Sequence, residues 1–263
     1  MTDTAPTGPA RNPDIAIRHI SQDDVYAALS AGWADFRAVP QYGLFFGGIY
    51  ALIGIAIFAQ LWVWDEPFWI VPLALAFPLI GPFVAIGLYE VSRRREAGEP
   101  LDWAAILGVI GRERDRQMPS MAFVILAGFL VWMFAAQLIV ALFLGNDPGS
   151  SFFDIDSILH SGHGVAMLIV GSLVGAVIAG LLFSITAFAL PLLLEREIDY
   201  VTAMVTSFRA VEKNPYPMLN WAWVIGASLV AAMVPLFLGL VVVLPVLGHA
   251  TWHLYRKVIV PAA

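Results

Sequence analysis

No cysteine occurs in the chain, which excludes disulfides, iron–sulfur clusters, thiolate metal sites and cysteine nucleophiles together. Charge is scarce as well. Asp, Glu, Lys and Arg make up 13% of the 263 residues, about half the fraction of an ordinary soluble domain, too few to cover the surface of a water-soluble fold. No polar stretch is long enough for a separate soluble domain. A phosphate-binding loop, a Ser-x-Gly elbow and nucleic-acid motifs are all missing, and a net charge of −6 gives no footprint for a nucleic-acid partner. Met1 to Asn12 is polar, contains Pro6 and Pro9 and lacks the apolar centre of a cleavable signal peptide. It reads as a disordered cytoplasmic tail.

Apolar sequence is what the chain has in plenty. Hydrophobic residues make up 60% of it, and the mean hydropathy is +0.80. A helix needs about 20 apolar residues to cross the hydrocarbon core. Gly43–Leu61, Phe68–Leu88, Met121–Leu144 and Val165–Leu194 each qualify. Pro72, Pro78 and Pro82 lie in the second and predict a kink, tolerable where neighbouring helices satisfy the freed carbonyls. The last stretch, Trp221–Tyr255, holds 35 residues. As one helix it would be ~52 Å long, against a core of ~30 Å. Two helices of about 17 residues fit instead, if a tight turn near Pro235 to Gly239 joins them.

Charge decides between the two arrangements. With six spans and the N-terminus inside, all 14 Lys and Arg residues fall on the cytoplasmic side. The outer loops, Trp62–Pro67 and Gly145–Ser161, carry only the acids Asp65, Glu66, Asp147, Asp154 and Asp156. Five spans would put Arg256 and Lys257 outside, against the positive-inside rule. Trp62, Trp64 and Trp69 then mark the outer aromatic belt, and Trp221, Trp252 and Tyr255 the inner one.

An internal repeat accompanies the spans. Asp24-Val-Tyr-Ala-Ala-Leu29, Asp102-Trp-Ala-Ala-Ile-Leu107 and Asp199-Tyr-Val-Thr-Ala-Met204 each precede an odd-numbered span. Each Asp is placed to cap a helix or sit in its first turn, and Ser21 with Asp24 resembles a capping box. Apolar stripes follow at helical spacing: Val25, Leu29, Trp33, Phe36; then Trp103, Ile106, Leu107, Ile110; then Tyr200, Met204, Phe208, Val211. A proline closes each segment, Pro40, Pro119 and Pro215, at 16, 17 and 16 residues from its Asp. The predicted unit is a cytoplasmic interfacial amphipathic helix followed by two spans, used three times. The fold class expected is therefore an all-α polytopic membrane protein, six transmembrane helices as three hairpins with pseudo-threefold repeat. Residues 1–20 form the tail, 21–257 one membrane domain with units of about 21–92, 101–196 and 199–257, and 258–263 a short cytoplasmic tail.

No Asp, Glu, Lys or Arg falls in the middle of a span, which argues against a proton-coupled transporter or a charged filter. Glu90 comes closest and is within helical reach of Arg93 and Arg94. Gln60 and Gln137 are suited to interhelical hydrogen bonds. His249 and His253 share one helix face at i and i+4, a spacing that can hold a metal or cofactor, without the adjacent Glu of a zincin. His160 and His163, with Asp154 and Asp156, offer donors of the kind Zn²⁺ takes. Six spans put the two pairs at opposite faces, so they cannot form one site. Capping and interfacial hydrogen bonding are the expected roles, and no metal or cofactor is expected. Gly43 with Gly47, and Gly171 with Gly175 and Ala179, are close-packing motifs. Arg93, Arg94, Arg95, Arg112, Arg114 and Arg116 flank the second interfacial helix, where they set topology and can meet anionic lipid head groups.

Leu244-Pro-Val-Leu-Gly-His-Ala-Thr-Trp-His-Leu-Tyr-Arg256, together with Ala31-Gly-Trp-Ala-Asp-Phe36, resembles a family of predicted bacterial integral membrane proteins of unknown function. The resemblance covers most of the chain after about Ile15 and implies a multi-pass bacterial inner-membrane protein. Some members carry the label of a cytochrome c oxidase subunit, but a catalytic oxidase subunit has about twice the spans and intramembrane histidines on several helices. The leading expectation is a non-catalytic protein with both termini cytoplasmic, acting through packing with a membrane partner complex, a second copy of itself, or lipid. A carrier or lipid-handling protein with a cavity between the hairpins is the alternative. A haem- or metal-binding respiratory protein, resting on the His pairs and the family label, is the third.

Overall fold

The computed structural model describes residues 15–62, 70–114, 116–145 and 155–260. Among them the chain is helical apart from one isolated bridge between Ile17 and Ile259. The helices are α1 (Gln22–Ala38), α2 (Pro40–Trp62), α3 (Ile70–Ala97), α4 (Trp103–Arg114), α5 (Met118–Leu144), α6 (Ile155–His160), α7 (Gly162–Thr186), α8 (Ala189–Glu195), α9 (Tyr200–Lys213), α10 (Pro215–Met233) and α11 (Leu240–Val258).

The local signals act as the sequence predicts. Ser21 and Asp24 form a reciprocal capping box at the start of α1. Asp102 accepts from the Ala105 amide at 2.8 Å and Asp199 from the Thr202 amide at 2.9 Å, so each satisfies an amide that a helix start leaves free. The Ser21 amide, followed by the Lys257 ammonium, holds the Asp24 carboxyl below its usual range; at Asp199 the Thr202 hydroxyl leads and its amide follows. Pro40, Pro119 and Pro215 each lie in the first turn of a long helix, where a missing N–H costs nothing.

Four helical segments are long and apolar enough to cross a membrane: Pro40–Gln60, Met118–Leu144, Gly162–Glu195 and Pro215–Met233. On α5 and α7, Phe123, Phe134, Leu142, Leu173 and Val177 are all exposed, a surface that suits lipid and not water. The protein is thus an all-helical integral membrane protein. Phe68, Trp69 and Asp154 lie outside the described residues, as do the side chains of Trp62 and Pro72.

The last apolar stretch is two helices. Met233 ends α10, Leu240 begins α11, and the turn between them puts Leu236 and Phe237 at φ of 51° and 65°. Left-handed backbone costs a non-glycine residue roughly 1–2 kcal/mol. The Phe237 ring lies against Gly54 of α2, where even a Cβ would come within 2.4 Å of it. Burial of that ring offsets the strain and pins the turn.

α11 runs through the centre, against α1, α2, α3, α8 and α10. α1 lies antiparallel on it, from the Lys257–Asp24 pair at 2.9 Å to Gly32, where a Cβ would meet the Ala250 nitrogen at 2.5 Å. That backbone approach divides the apolar stripes between the inner and outer faces of the helices. α1 buries Val25, Ala28, Gly32, Asp35 and Phe36, and turns Trp33 outward. Likewise α4 buries Ile106 and Val109 while exposing Trp103 and Leu107, and α9 buries Ala203, Thr206, Ser207 and Ala210 while exposing Phe208. Close helix contact selects small residues inward, and the large apolar ones are left to face outward.

The expected fourth span breaks ahead of Pro191 into α7 and α8. Ser207 of α9 enters the break: its hydroxyl donates to the Ser184 carbonyl at 2.8 Å and accepts from the Phe188 amide at 3.1 Å, a side chain inserted in the helical ladder. The chain ends also join. The Arg18 amide donates to the Val258 carbonyl at 2.7 Å, and Asn214 holds both the Ile20 amide and the Arg18 carbonyl. Residues 15–20 and 258–260, which the sequence assigns to tails, are therefore part of the fold.

Candidate functional site

Two polar assemblies occupy the end of the bundle where the chain ends meet. One is buried. Asp35 on the inner face of α1 accepts from Ser92 Oγ at 2.7 Å and from Arg95 Nε at 2.8 Å, both on α3, and lies 2.8 Å from His253 Nε2 on α11. Ser92 Oγ is also 2.8 Å from His249 Nδ1. Burial pushes the Asp35 carboxyl up, but the hydrogen bonds from His253 and Ser92 outweigh it, and the carboxyl ends below its usual range. Ser92 has one hydroxyl proton, and Asp35 takes it. The proton in the Ser92–His249 bond must then come from His249 Nδ1, an assignment made by this accounting. The neutral ring is left with Nε2 as a bare, buried acceptor without a hydrogen-bond partner among the described residues, although the Leu88 backbone approaches the ring.

The order Asp–Ser–His is not that of an activated nucleophile, in which the histidine stands between the other two. Ser92 and His249 are fully buried, so no substrate reaches them. What the cluster does is join α1, α3 and α11 through satisfied polar groups.

The second assembly is open. Glu90, Arg93, Arg94 and Glu96 at the end of α3, Arg112 and Glu113 on α4, Arg116 beyond it, Glu195 of α8, and Trp252 and Arg256 of α11 surround a polar cavity of about 590 Å³. Glu90 is buried and takes both Arg93 Nε at 2.7 Å and Arg94 Nε at 2.6 Å. Arg116 pairs with Glu113 at 2.9 Å. Arg256 pairs with Glu96 at 3.1 Å and also with Glu195, while the Trp252 indole donates to Glu96 at 3.0 Å. Arg112 is exposed and has no carboxylate partner among the described residues.

The arginines read from sequence are thus divided. Arg93, Arg94, Arg112 and Arg116 line the open cavity, and Arg95 turns to Asp35; the Arg114 side chain lies outside the described residues. The expected Glu90 ion pairs are present. His249 and His253 share a cluster through Ser92 and Asp35. His160 and His163 are exposed far along the chain at α6 and the start of α7, His160 Nδ1 lying 2.8 Å from the Asp156 carbonyl oxygen. Among the described residues no three His, Cys, Asp or Glu side chains converge as metal ligands.

Gly43, Gly47 and Gly175 of the glycine motifs pack inside the protein. A Cβ on Gly43 would strike the Phe36 ring at 2.6 Å, and one on Gly47 the Val241 carbonyl oxygen at 2.8 Å. Gly175 meets the Trp132 ring of α5 at 2.9 Å, whereas Gly171 meets only Ile139, at 4.0 Å. Gly175 and Ala179 line an apolar groove of about 600 Å³ between α3, α5 and α7.

Sequence reading missed Asp35, Ser92, Glu113, Glu195 and Arg256 as site residues. One signal was available for Asp35. It lies between Trp33 and Phe36, a carboxylate on the apolar side of an amphipathic helix, and such a group needs a buried partner.

A family model described as Predicted integral membrane protein (DUF2189) matches residues 70–195, from α3 through α8. No curated protein and no solved structure matches the chain. The matched family is the one of membrane proteins of unknown function that the sequence resembles. Over its α3–α8 half, then, this chain carries the pattern of a family of predicted integral membrane proteins.

Proposed function

We propose that the protein is a non-catalytic, six-span protein of the bacterial inner membrane that acts by holding anionic lipid at its cytoplasmic end. In this reading α2, α3, α5, α7 with α8, α10 and α11 are the spans. α1, α4 and α9 are interfacial helices whose outward Trp33, Trp103 and Phe208 rest at the membrane surface, in a threefold repeat of helix, span, span. The observation that carries it is the arginine-lined cavity at the end of the bundle. Its basic side chains come from α3, α4 and α11, and the same end gathers Lys213 onto the Ile17 carbonyl, Lys257 onto Asp24 and Arg196 onto the Val260 carbonyl. Basic groups collected at one face fit the cytoplasmic leaflet, where an unpaired one such as Arg112 contributes about 1 kcal/mol toward an anionic surface. Gly43, Gly47 and Gly175 are spent on internal contacts.

Purification in mild detergent followed by mass spectrometry of co-isolated lipid tests the reading. Anionic lipids should be enriched over their share of the source membrane, and the double variant Arg112→Glu, Arg116→Glu should lose the enrichment. Co-isolated lipid of bulk composition would refute it. Reporter fusions test the topology: a cytoplasmic signal is expected after Lys257 and a periplasmic one between Gly145 and Ser161, and a periplasmic signal after Lys257 would overturn six spans.

A further inference from the structure

We infer that the polar cavity and the apolar groove are the head and tail compartments of one site, and that its ligand is an amphiphile with a single phosphodiester charge and an acyl chain. The inference rests on the lipid-holding reading and adds what is held and where.

The two spaces share walls. On α3, Pro82 lines the groove and Glu90 the polar cavity, eight residues or ~12 Å apart along the helix. On α8, Leu190 lines the groove and Leu194 the cavity, one turn or ~6 Å apart. At about 590 and 600 Å³, each compartment has the size of an ordinary ligand pocket. The groove is walled by α5 and α7, which qualify as spans, and by α3, and its lining of Phe129, Ile178, Leu182 and similar side chains offers an acyl chain nothing but apolar surface. Gly175 and Ala179 keep its floor low, since a Cβ on Gly175 would already press on the Trp132 ring.

The head compartment selects by charge. Arg93, Arg94, Arg116 and Arg256 are each held by a glutamate of the same cavity, which fixes their forks and cancels most of their charge. Among the lining residues, five arginines face four glutamates, and Glu99 adds a fifth carboxylate at 2.9 Å from Arg93. Arg112 is the one of these arginines without a carboxylate partner among the described residues. One unneutralised guanidinium matches one phosphodiester, which it meets with two parallel N–H donors. A head group with more negative charge would be repelled by the four carboxylates. The phosphate chemistry alone also describes free phosphate, so chain and head must be separated by experiment.

Delipidated protein in detergent is titrated by native mass spectrometry with phosphatidylglycerol, with diacylglycerol and with glycerophosphoglycerol, the same phosphodiester head without chains. Wild type should bind one phosphatidylglycerol at least tenfold more tightly than either other probe. Arg112→Ala and Ala179→Trp should each weaken it tenfold or more. Arg112→Lys should recover part of the loss, and Arg209→Ala, exposed on α9, should change nothing. Ile178→Trp replaces Ala179→Trp if that variant unfolds on heating earlier than wild type. Diacylglycerol binding as tightly as phosphatidylglycerol would remove the head compartment. Loss in Arg112→Ala with both groove variants unaffected would reduce the site to a phosphate pocket. Phosphatidylglycerol retained by every variant would overturn the two-part site while leaving the lipid-holding reading intact. Absence of any lipid from wild type would overturn both.

Discussion

Truncating Asp35 should cost the protein more than any other single polar change, and the structure sets the size of the effect. Its carboxylate is 6% exposed and meets Ser92 at 2.7 Å and Arg95 and His253 at 2.8 Å each. Breaking a fully buried ion pair costs about 3–5 kcal/mol. Arg95 is 29% exposed and regains part of its hydration, so Asp35→Ala should lose about 2–4 kcal/mol, most of it from the buried Ser92 hydroxyl and the half-buried histidine left without an acceptor. For a chain of this size that is a fall of roughly 5–15 °C in Tm. Ser92→Ala removes two bonds, the one to Asp35 and the one that His249 Nδ1 makes, and orphans that nitrogen, about 1–3 kcal/mol, and the double variant should cost less than the sum because the two share a contact. The pH dependence has a definite sign. The folded carboxyl titrates below its unfolded value, so its contribution is complete above about pH 4 and is lost as pH falls through the folded value. Asp35→Asn should be less stable than wild type at neutral pH, with the gap closing below about pH 4. Thermal unfolding in detergent, followed by circular dichroism from pH 3 to pH 8, measures both. An Asp35→Ala protein melting within about 2 °C of wild type would refute the account, as would a gap that stays constant with pH.

Gly32→Val should lose about 1–3 kcal/mol by overpacking, because the atoms its Cβ meets belong to the α11 backbone; Gly226→Val, whose Cβ meets nothing within 4 Å, is the control, and equal melting of the two would contradict the α1–α11 contact. Ser207→Ala removes the bridge between the Ser184 carbonyl and the Phe188 amide and should cost about 1–3 kcal/mol, visible as faster hydrogen exchange at the Phe188 amide; unchanged exchange there would rule the bridge out. Asp199→Ala should lose about 1 kcal/mol by uncapping α9, while Asp199→Asn, which keeps the cap, should lose less; equal losses in thermal unfolding would assign the effect to charge instead of capping.

The helices were legible because their causes are local. An Asp three residues before the amide it caps, a proline in a first turn and a run of apolar residues all act within a few positions, and the two Asp caps, the Ser21–Asp24 capping box and the three prolines are where the sequence places them. The break in the last apolar stretch was legible to the turn, since Pro235 to Gly239 cannot continue a helix. Glu90 with Arg93 and Arg94 was legible for the same reason, the partners being three and four residues apart.

Which face of each helix points inward was decided by tertiary packing. The sequence puts Trp33 on one apolar stripe of α1 with Val25, Leu29 and Phe36, but the α11 backbone comes so close at Gly32 that only small side chains fit between them, and the aromatic is turned out. The polar site lay beyond reach for a related reason. Asp35 meets Ser92, Arg95 and His253 across 57, 60 and 218 positions, and Arg256 meets Glu96 across 160. A sequence holds the periodicity that makes a helix and the charge that orients it, because both are properties of a short window. Which two helices touch is set only when loops close and apolar faces compete for each other, and that competition put Arg112 and Arg256 around one cavity and left the groove between Pro82 and Gly175 lined by apolar side chains.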